Sequence, residues 1–194
     1  MTEKERLELA ELLFPNITKT REDYEKMYPE RDLPEGAMVT RYGPSPTGSV
    51  HLGNLLSAFA DMVYAKQTNG SFYLRIEDTD QKRMIDGGIE NITSVLHDFD
   101  ILPNEGYSFD GNYGPYQQSK RTEIYQTYIK DLIKQGLAYP CFMTEEEQNN
   151  IKEEQAIKKV KIGIYGMYAV DRDLSLEEVK EKERWRLRDN KDKR

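Results

Sequence analysis

The sequence predicts an α/β protein built on a parallel sheet, and three observations carry that prediction. A short strand candidate, Met38–Tyr42, is followed by the loop GPSPTGS. The segment HLGNLLSAFADMVYAKQ, residues 51–67, then repeats apolar residues at helical spacing. A second strand candidate, SFYLRIE at 71–77, comes directly after Asn69-Gly70. Strand, loop, helix and strand in that order form a βαβ unit. Its helical crossover makes the two strands parallel.

The other elements read in order along the chain. Thr2 and Glu5 form a capping-box pattern ahead of LELAELLF, so a helix opens the sequence. PERDLPEG, residues 29–36, reads as a linker. Ser49 is a candidate cap for the helix at 51–67, whose Leu52, Leu55, Leu56, Phe59, Met62 and Val63 are expected to share one stripe. A further helix is expected from Ile89 to Phe99, a long loop over 103–115, and a helix from Gln118 to Lys134 that stops at Gly136. AYPCFM is a strand candidate. TEEEQNNIKEEQAIKK reads as a helix with a threonine cap and acids in its first turn. GIYGMYAVDRD reads as irregular, SLEEVKEK as a short capped helix, and RWRLR as a strand.

Composition excludes several classes. No apolar run approaches the roughly 20 residues of a membrane helix, and the opening residues carry acids and no small-residue cleavage site, so no leader is expected. Cys141 is the single cysteine, which excludes an internal disulfide and fits a reducing cytoplasm. With two histidines besides, no zinc site is expected. Net charge is −7, which argues against a nonspecific nucleic-acid binder. Contact with RNA would have to use local clusters such as Lys82–Arg83 and Lys120–Arg121.

The chemistry concentrates in RYGPSPTGSVHLGN, Arg41 to Asn54. A glycine-rich loop leading into a helix amino terminus presents N–H groups and a positive dipole end to an anion. His51 at that terminus can reach a phosphate oxygen. The spacing matches neither the dinucleotide fingerprint nor the P-loop, so the residues alone indicate a nucleotide or phosphate site of another kind. Bland readings stand beside this one. Arg41 could pair structurally with Asp61 or Glu77. Glu77, Asp78 and Asp80 could form a solvated turn or a metal cluster. The tyrosine-rich run at 107–128 reads as core rather than a base-stacking platform. His97 and Trp185 read as structural, and Lys120–Arg121 as a solvated helix face.

PSPTG followed by H-x-G, then RIEDTD, GPYQQSKR, IYQTYIKDLIKQGLAY and YAVDRDLS, resembles the class I glutamyl-tRNA synthetase family over residues 38–188. The resemblance implies a Rossmann-like catalytic domain interrupted by an insertion that binds the tRNA acceptor end. On that basis residues 1–37 are expected to be a helical extension, 38–118 the first half of the catalytic domain, and 119–194 part of the insertion.

The resemblance also implies roles. His51 and Gly53 hold ATP and serve catalysis, with Gly43 and Asn54 in the same ATP site. Arg41 pairs with the glutamate side-chain carboxylate, Ser45 lies beside it, and Glu77 receives the α-ammonium. Asp80 and Arg83 meet the tRNA acceptor end. Asn54 stands where the HIGH tetrad has its second histidine. The implied activity is ATP-dependent attachment of glutamate to tRNA(Glu) through glutamyl-adenylate, with Mg2+ accompanying the nucleotide and no metal held by protein side chains. The implied protein is a cytoplasmic monomer.

No lysine-serine run of the K-M-S-K-S kind occurs in the sequence. The chain is therefore expected to be a fragment, inactive alone. Glutaminyl-tRNA synthetase, a glutamyl-queuosine tRNA(Asp) synthetase and a non-catalytic tRNA-binding domain remain alternatives.

Overall fold

A computed structural model describes the backbone of residues 1–192 and the side chains of residues 1–184. The chain divides into two compact units, residues 19–125 and residues 1–18 with 126–194.

The unit of residues 19–125 contains the sheet. Strand β1 (Val39–Tyr42) pairs in parallel with β2 (Ser71–Leu74), with Arg41 opposite Tyr73. Helix α3 (Leu52–Gln67) makes the crossover between them. A two-residue strand, β3 (Glu105–Gly106), adds to the other edge of β2, giving the order β1-β2-β3, all parallel. The predicted parallel α/β arrangement is therefore the observed one. The expected loop at 103–115 missed β3, because two residues, one of them glycine, leave no period to detect. The ladder extends beyond the named strands. Glu77 N–H donates to Pro44 O (2.8 Å), and Ile76 bridges in parallel to Gln117.

Alternation governs β2 and its continuation. Phe72, Leu74, Ile76 and Asp78 are buried, while Tyr73, Arg75 and Glu77 lie on the opposite face, partly open. The core joins Phe72, Leu74 and Ile76 to Tyr42, Leu55, Ala58 and Ala65, and to Ile92 and Leu96 from α4 (Gly88–Asp98). The expected stripe on α3 is corrected here. Leu52, Leu56 and Phe59 are 79%, 66% and 50% exposed, and the buried face is Leu55, Ala58 and Ala65. Small alanines let the helix approach the sheet closely, so the bulkier residues one step round point outward. The cap of α3 is His51 rather than Ser49. This unit also contains α2 (Arg21–Met27), capped by the reciprocal Thr20–Asp23 bonds, an element the sequence reading passed over.

In the other unit, α1 (Glu3–Leu13) starts at the expected Thr2–Glu5 capping box. Its Leu9 and Ala10 pack with Ile133 of α5 (Thr122–Gln135) and with Leu176 and Val179 of α7 (Leu176–Asp192). A 3-10 turn at Gln118–Arg121, within the unit of residues 19–125, precedes α5, where a continuous helix was expected. The buried Lys130 ammonium donates to Glu11 Oε2 (2.8 Å), Phe14 O (3.1 Å) and Ile17 O (2.8 Å), so its charge is fully partnered. Helix α6 (Glu145–Ile157) carries the Thr144–Glu147 capping box.

Two strand expectations fail in this unit. AYPCFM forms no strand. Pro140 lacks an N–H, and Phe142 N–H donates to the Asp171 carboxylate (2.7 Å) instead of to a neighbouring strand. RWRLR continues α7, which Ser175 and Glu178 cap reciprocally. Once nucleated by a cap and by buried Leu176 and Val179, a helix propagates at low cost through a five-residue alternation. The side chain of Trp185 lies outside the described residues.

Candidate functional site

The carboxyl ends of β1 and β2 bring Arg41, Gly43 and Glu77 together. Arg41 on β1 and Glu77 on the continuation of the neighbouring parallel strand β2 lie on one face, and Arg41 Nη1 pairs directly with Glu77 Oε1. Arg75 Nη2 stands 3.5 Å from the same oxygen, at the edge of a hydrogen bond. Gly43 permits this closure. A Cβ there would lie 2.7 Å from Glu77 Oε1 and 3.0 Å from Arg41 Nη1. Both charged groups remain partly open to solvent, with side-chain exposures of 39% and 28%. Behind them Asp61 of α3 is partly desolvated; burial pushes its carboxyl above the usual range while the Arg41 charge pulls it down. Thr40 Oγ1 donates to Asp61 O (2.7 Å), tying the helix to β1.

Beside this pair the loop 43–51 bounds a cleft of about 320 Å³. Ser45, Thr47, Gly48, His51 and Asn54 are among its lining. Pro46 is fully buried, and its carbonyl accepts from Ile85 N–H (3.0 Å), which fixes the loop against the segment before α4. His51 is exposed and is the N-cap of α3. The Asn54 Oδ1 accepts from His51 N–H (3.2 Å). Asn54 thus closes the helix start, a role that a second histidine at this position would fill less well. Gly53 leaves space for the imidazole, since a Cβ there would sit 3.3 Å from His51 Cε1 and Nδ1. The cleft therefore joins a small-residue loop, a helix amino terminus and an imidazole, a combination suited to phosphate oxygens.

Asp80 and Arg83 form an exposed ion pair (2.6 Å) on the turn after RIED. The Arg83 hydrogen bond holds the Asp80 carboxyl below the usual range.

Sequence reasoning missed Asp78 as a positioning group. It is 2% exposed. Its carboxylate accepts from Gln117 Nε2 (2.7 Å), Ser119 N–H (2.8 Å) and Ser119 Oγ (2.7 Å). Burial pushes its carboxyl up, but the Ser119 and Gln117 bonds outweigh burial and the group ionises more readily than usual. These bonds fasten the residue after Glu77 to the turn at 118–121. The period-two alternation of SFYLRIED was the available signal, because it puts Asp78 on the core side. Among the described residues no three His, Cys, Asp or Glu side chains converge as metal ligands, so the metal-cluster reading of Glu77, Asp78 and Asp80 fails. Glu77 is held by arginines, and Asp78 by a glutamine and a serine. In the Tyr-rich run Tyr107 packs half-buried against the core, Tyr113 and Tyr116 are half-buried, and Tyr125 and Tyr128 are exposed; His97 stacks on Phe109 (5.9 Å between ring centres).

Residues 37–187 match the family of class I tRNA synthetases (E and Q), catalytic domain. The chain belongs to that family. A glutamate–tRNA ligase of Acetivibrio thermocellus is 53% identical over 175 residues, covering 88% of this chain and 32% of the relative. One from Clostridium perfringens is 49% identical over the same shares. Crystal structures of glutamate–tRNA ligases from Elizabethkingia meningosepticum, solved with its amino acid, and Elizabethkingia anophelis superpose with TM-scores of 0.64 and 0.65 at 37% identity. They cover 74% and 75% of this chain, and 30% of each solved chain. This class I synthetase chain thus spans about a third of the length of the curated relatives it matches. Among the described residues no helix is long and apolar enough to cross a membrane.

Proposed function

We propose that this chain supplies the glutamate and ATP sites of an enzyme that joins glutamate to tRNA(Glu). The observation that carries the reading is the opposed pair Arg41 and Glu77 beside the His51 cleft. A pair of opposite charges that face each other is the complement of a substrate bearing both an extra carboxylate and an ammonium. Glutamate would separate the pair, taking Arg41 with its side-chain carboxylate and Glu77 with its α-ammonium, while Ser45 stands beside it. A guanidinium receives a carboxylate through two parallel bonds, which lysine cannot.

ATP would lie along the loop from Gly43 to Asn54. His51 and the amides around Gly53 would bear on its phosphates, and Mg2+ would enter with the nucleotide, whose phosphate oxygens suit it. The α-carboxylate oxygen of glutamate attacks the α-phosphorus. The bond to the bridging oxygen breaks, pyrophosphate leaves with its electron pair, and glutamyl-adenylate forms. The terminal ribose hydroxyl of tRNA then takes the glutamyl group and AMP departs. Positioning and charge neutralisation supply most of such catalysis. Asp80 and Arg83, exposed past the strand end, would meet the acceptor end. Residues 38–118 would form the first half of the catalytic domain and 119–194 part of the acceptor-binding insertion, in a cytoplasmic monomer.

The test replaces the matching segment of the Acetivibrio thermocellus ligase with this chain and measures glutamate- and glutamine-dependent pyrophosphate exchange with tRNA(Glu) present. Glutamate-dependent exchange is expected. Glutamine would leave the Arg41 guanidinium, 39% exposed, facing a neutral amide, at a cost of about 1–2 kcal/mol in this partly solvated position. Arg41→Ala should therefore lower the glutamate/glutamine ratio of kcat/KM by about 10-fold. An unchanged ratio shows that another residue reads the side-chain carboxylate.

A further inference from the structure

On the face of β2 opposite the core lies a second cavity, of about 190 Å³, wholly within residues 19–125 and separate from the 43–54 cleft. Arg31, Arg75 and Arg121 line it, with Tyr73, Tyr113 and Tyr116 as aromatic walls. The guanidinium of Arg31 stacks 3.7 Å from the Tyr113 ring centre. Its charge is matched, because Nε and Nη2 both reach Glu105 Oε1, at 3.1 and 2.5 Å. Glu105 is in turn saturated by Ser71 Oγ (3.1 Å) and Tyr116 Oη (2.5 Å).

The other two guanidiniums are not matched. Arg75 shares its single carboxylate, at 3.5 Å, with Arg41, which holds the same oxygen far more closely. Arg121 forms no ion pair among the described residues. Its Nη1 donates to the carbonyls of Tyr113 (3.3 Å) and Pro115 (2.9 Å), which aims the group without neutralising it. The Nε of Arg75 and that of Arg121 are each buried with no hydrogen-bond partner among the described residues. Across this network four guanidiniums, counting Arg41, meet two carboxylates. Desolvated guanidinium in excess over carboxylate is an unmet electrostatic requirement.

We propose that this cavity is an anion site that takes a phosphate dianion between Arg75 and Arg121. The excess of two positive charges matches a phosphate group near neutral pH. Planar guanidiniums fork onto phosphate oxygens, and the tyrosine walls lower the local dielectric and strengthen the pairing. The phosphate is either free or carried by a nucleotide whose ring the tyrosines can face. Neither source depends on the reading of the 43–54 cleft.

The test titrates inorganic phosphate, and separately AMP, into the 194-residue chain and follows backbone amide shifts. Saturable shifts at Tyr73, Arg75, Tyr113 and Arg121 are expected. Arg121→Gln should weaken phosphate binding by about 10-fold or more, while Arg121→Lys, which keeps the charge and loses the fork, should weaken it by about 3-fold. AMP binding more tightly than phosphate at these residues supports a nucleotide phosphate, and equal affinities support the free ion. Shifts confined to residues 43–54, or equal affinity in Arg121→Gln and the unsubstituted chain, would overturn the proposal. The shift map of the unsubstituted chain decides even if Arg121→Gln fails to fold.

Discussion

Asp78 shows how one buried carboxylate can order the strand end beside a site. Its carboxylate is buried yet ionises more readily than usual, because three donors from Gln117 and Ser119 favour the charged form. Asp78→Asn turns one acceptor oxygen into an NH2 facing those donors. We expect a loss of about 3 kcal/mol in urea unfolding at pH 7. The pH dependence has a definite sign. A carboxyl whose folded pKa lies below its unfolded value, about 3.9, stabilises the fold above that value, and the contribution fades as pH falls through the folded pKa. The stability gap between the original chain and Asp78→Asn should thus be full at pH 5–7 and narrow below about pH 4. A gap constant down to pH 3 would show that Asp78 acts through shape alone. Tyr116 provides the contrast: burial, then its bond to Glu105, pushes its hydroxyl up to about 12, so it stays a donor throughout this range.

At the scale of elements, the turn joining α3 to β2 depends on close backbone approach. A Cβ on Gly70 would lie 1.9 Å from Met38 O, and Ser71 N–H already donates to that oxygen (3.1 Å). Backbone cannot swing aside as a flexible side chain can. Gly70→Ala should cost about 3 kcal/mol and loosen the β1–β2 pairing. Gly48→Ala in the 43–51 loop meets nothing within 4 Å and should change stability by less than about 0.5 kcal/mol. Thermal unfolding of the two variants side by side checks both numbers. The same scale explains which elements were readable. The capping box at Thr2 and the threonine cap with its acidic first turn at Thr144 announced α1 and α6 because the signal is local. The exposed stripe of Leu52, Leu56 and Phe59 was misjudged because which face of an amphipathic helix is buried depends on the sheet beneath it.

For the whole molecule, the core around Phe72, Leu74 and Ile76 draws every member from residues 42–109, inside the unit 19–125. A domain with its own core folds by itself. A polypeptide of residues 19–125 should therefore give a dispersed amide spectrum in which the β1 and β2 signals overlay those of the complete chain. A collapsed, poorly dispersed spectrum would count against an independent unit.

Sequence alone determined what depends on neighbours along the chain. It set the βαβ order, the parallel sense of β1 and β2, the glycine-rich approach to the α3 terminus, and the motifs that mark a class I synthetase. Tertiary structure decided what depends on residues far apart meeting. The Arg41–Glu77 pair spans 36 positions, and the bonds from Asp78 to Gln117 and Ser119 span 39 and 41. The pairing of Arg31 with Glu105 spans 74. No periodicity encodes such contacts, because they arise only when strand register and loop closure fix which faces meet. RWRLR shows the converse. Its local alternation favoured a strand, yet the helix begun at Ser175 continues through it, since growth of a nucleated helix outweighs a weak five-residue preference.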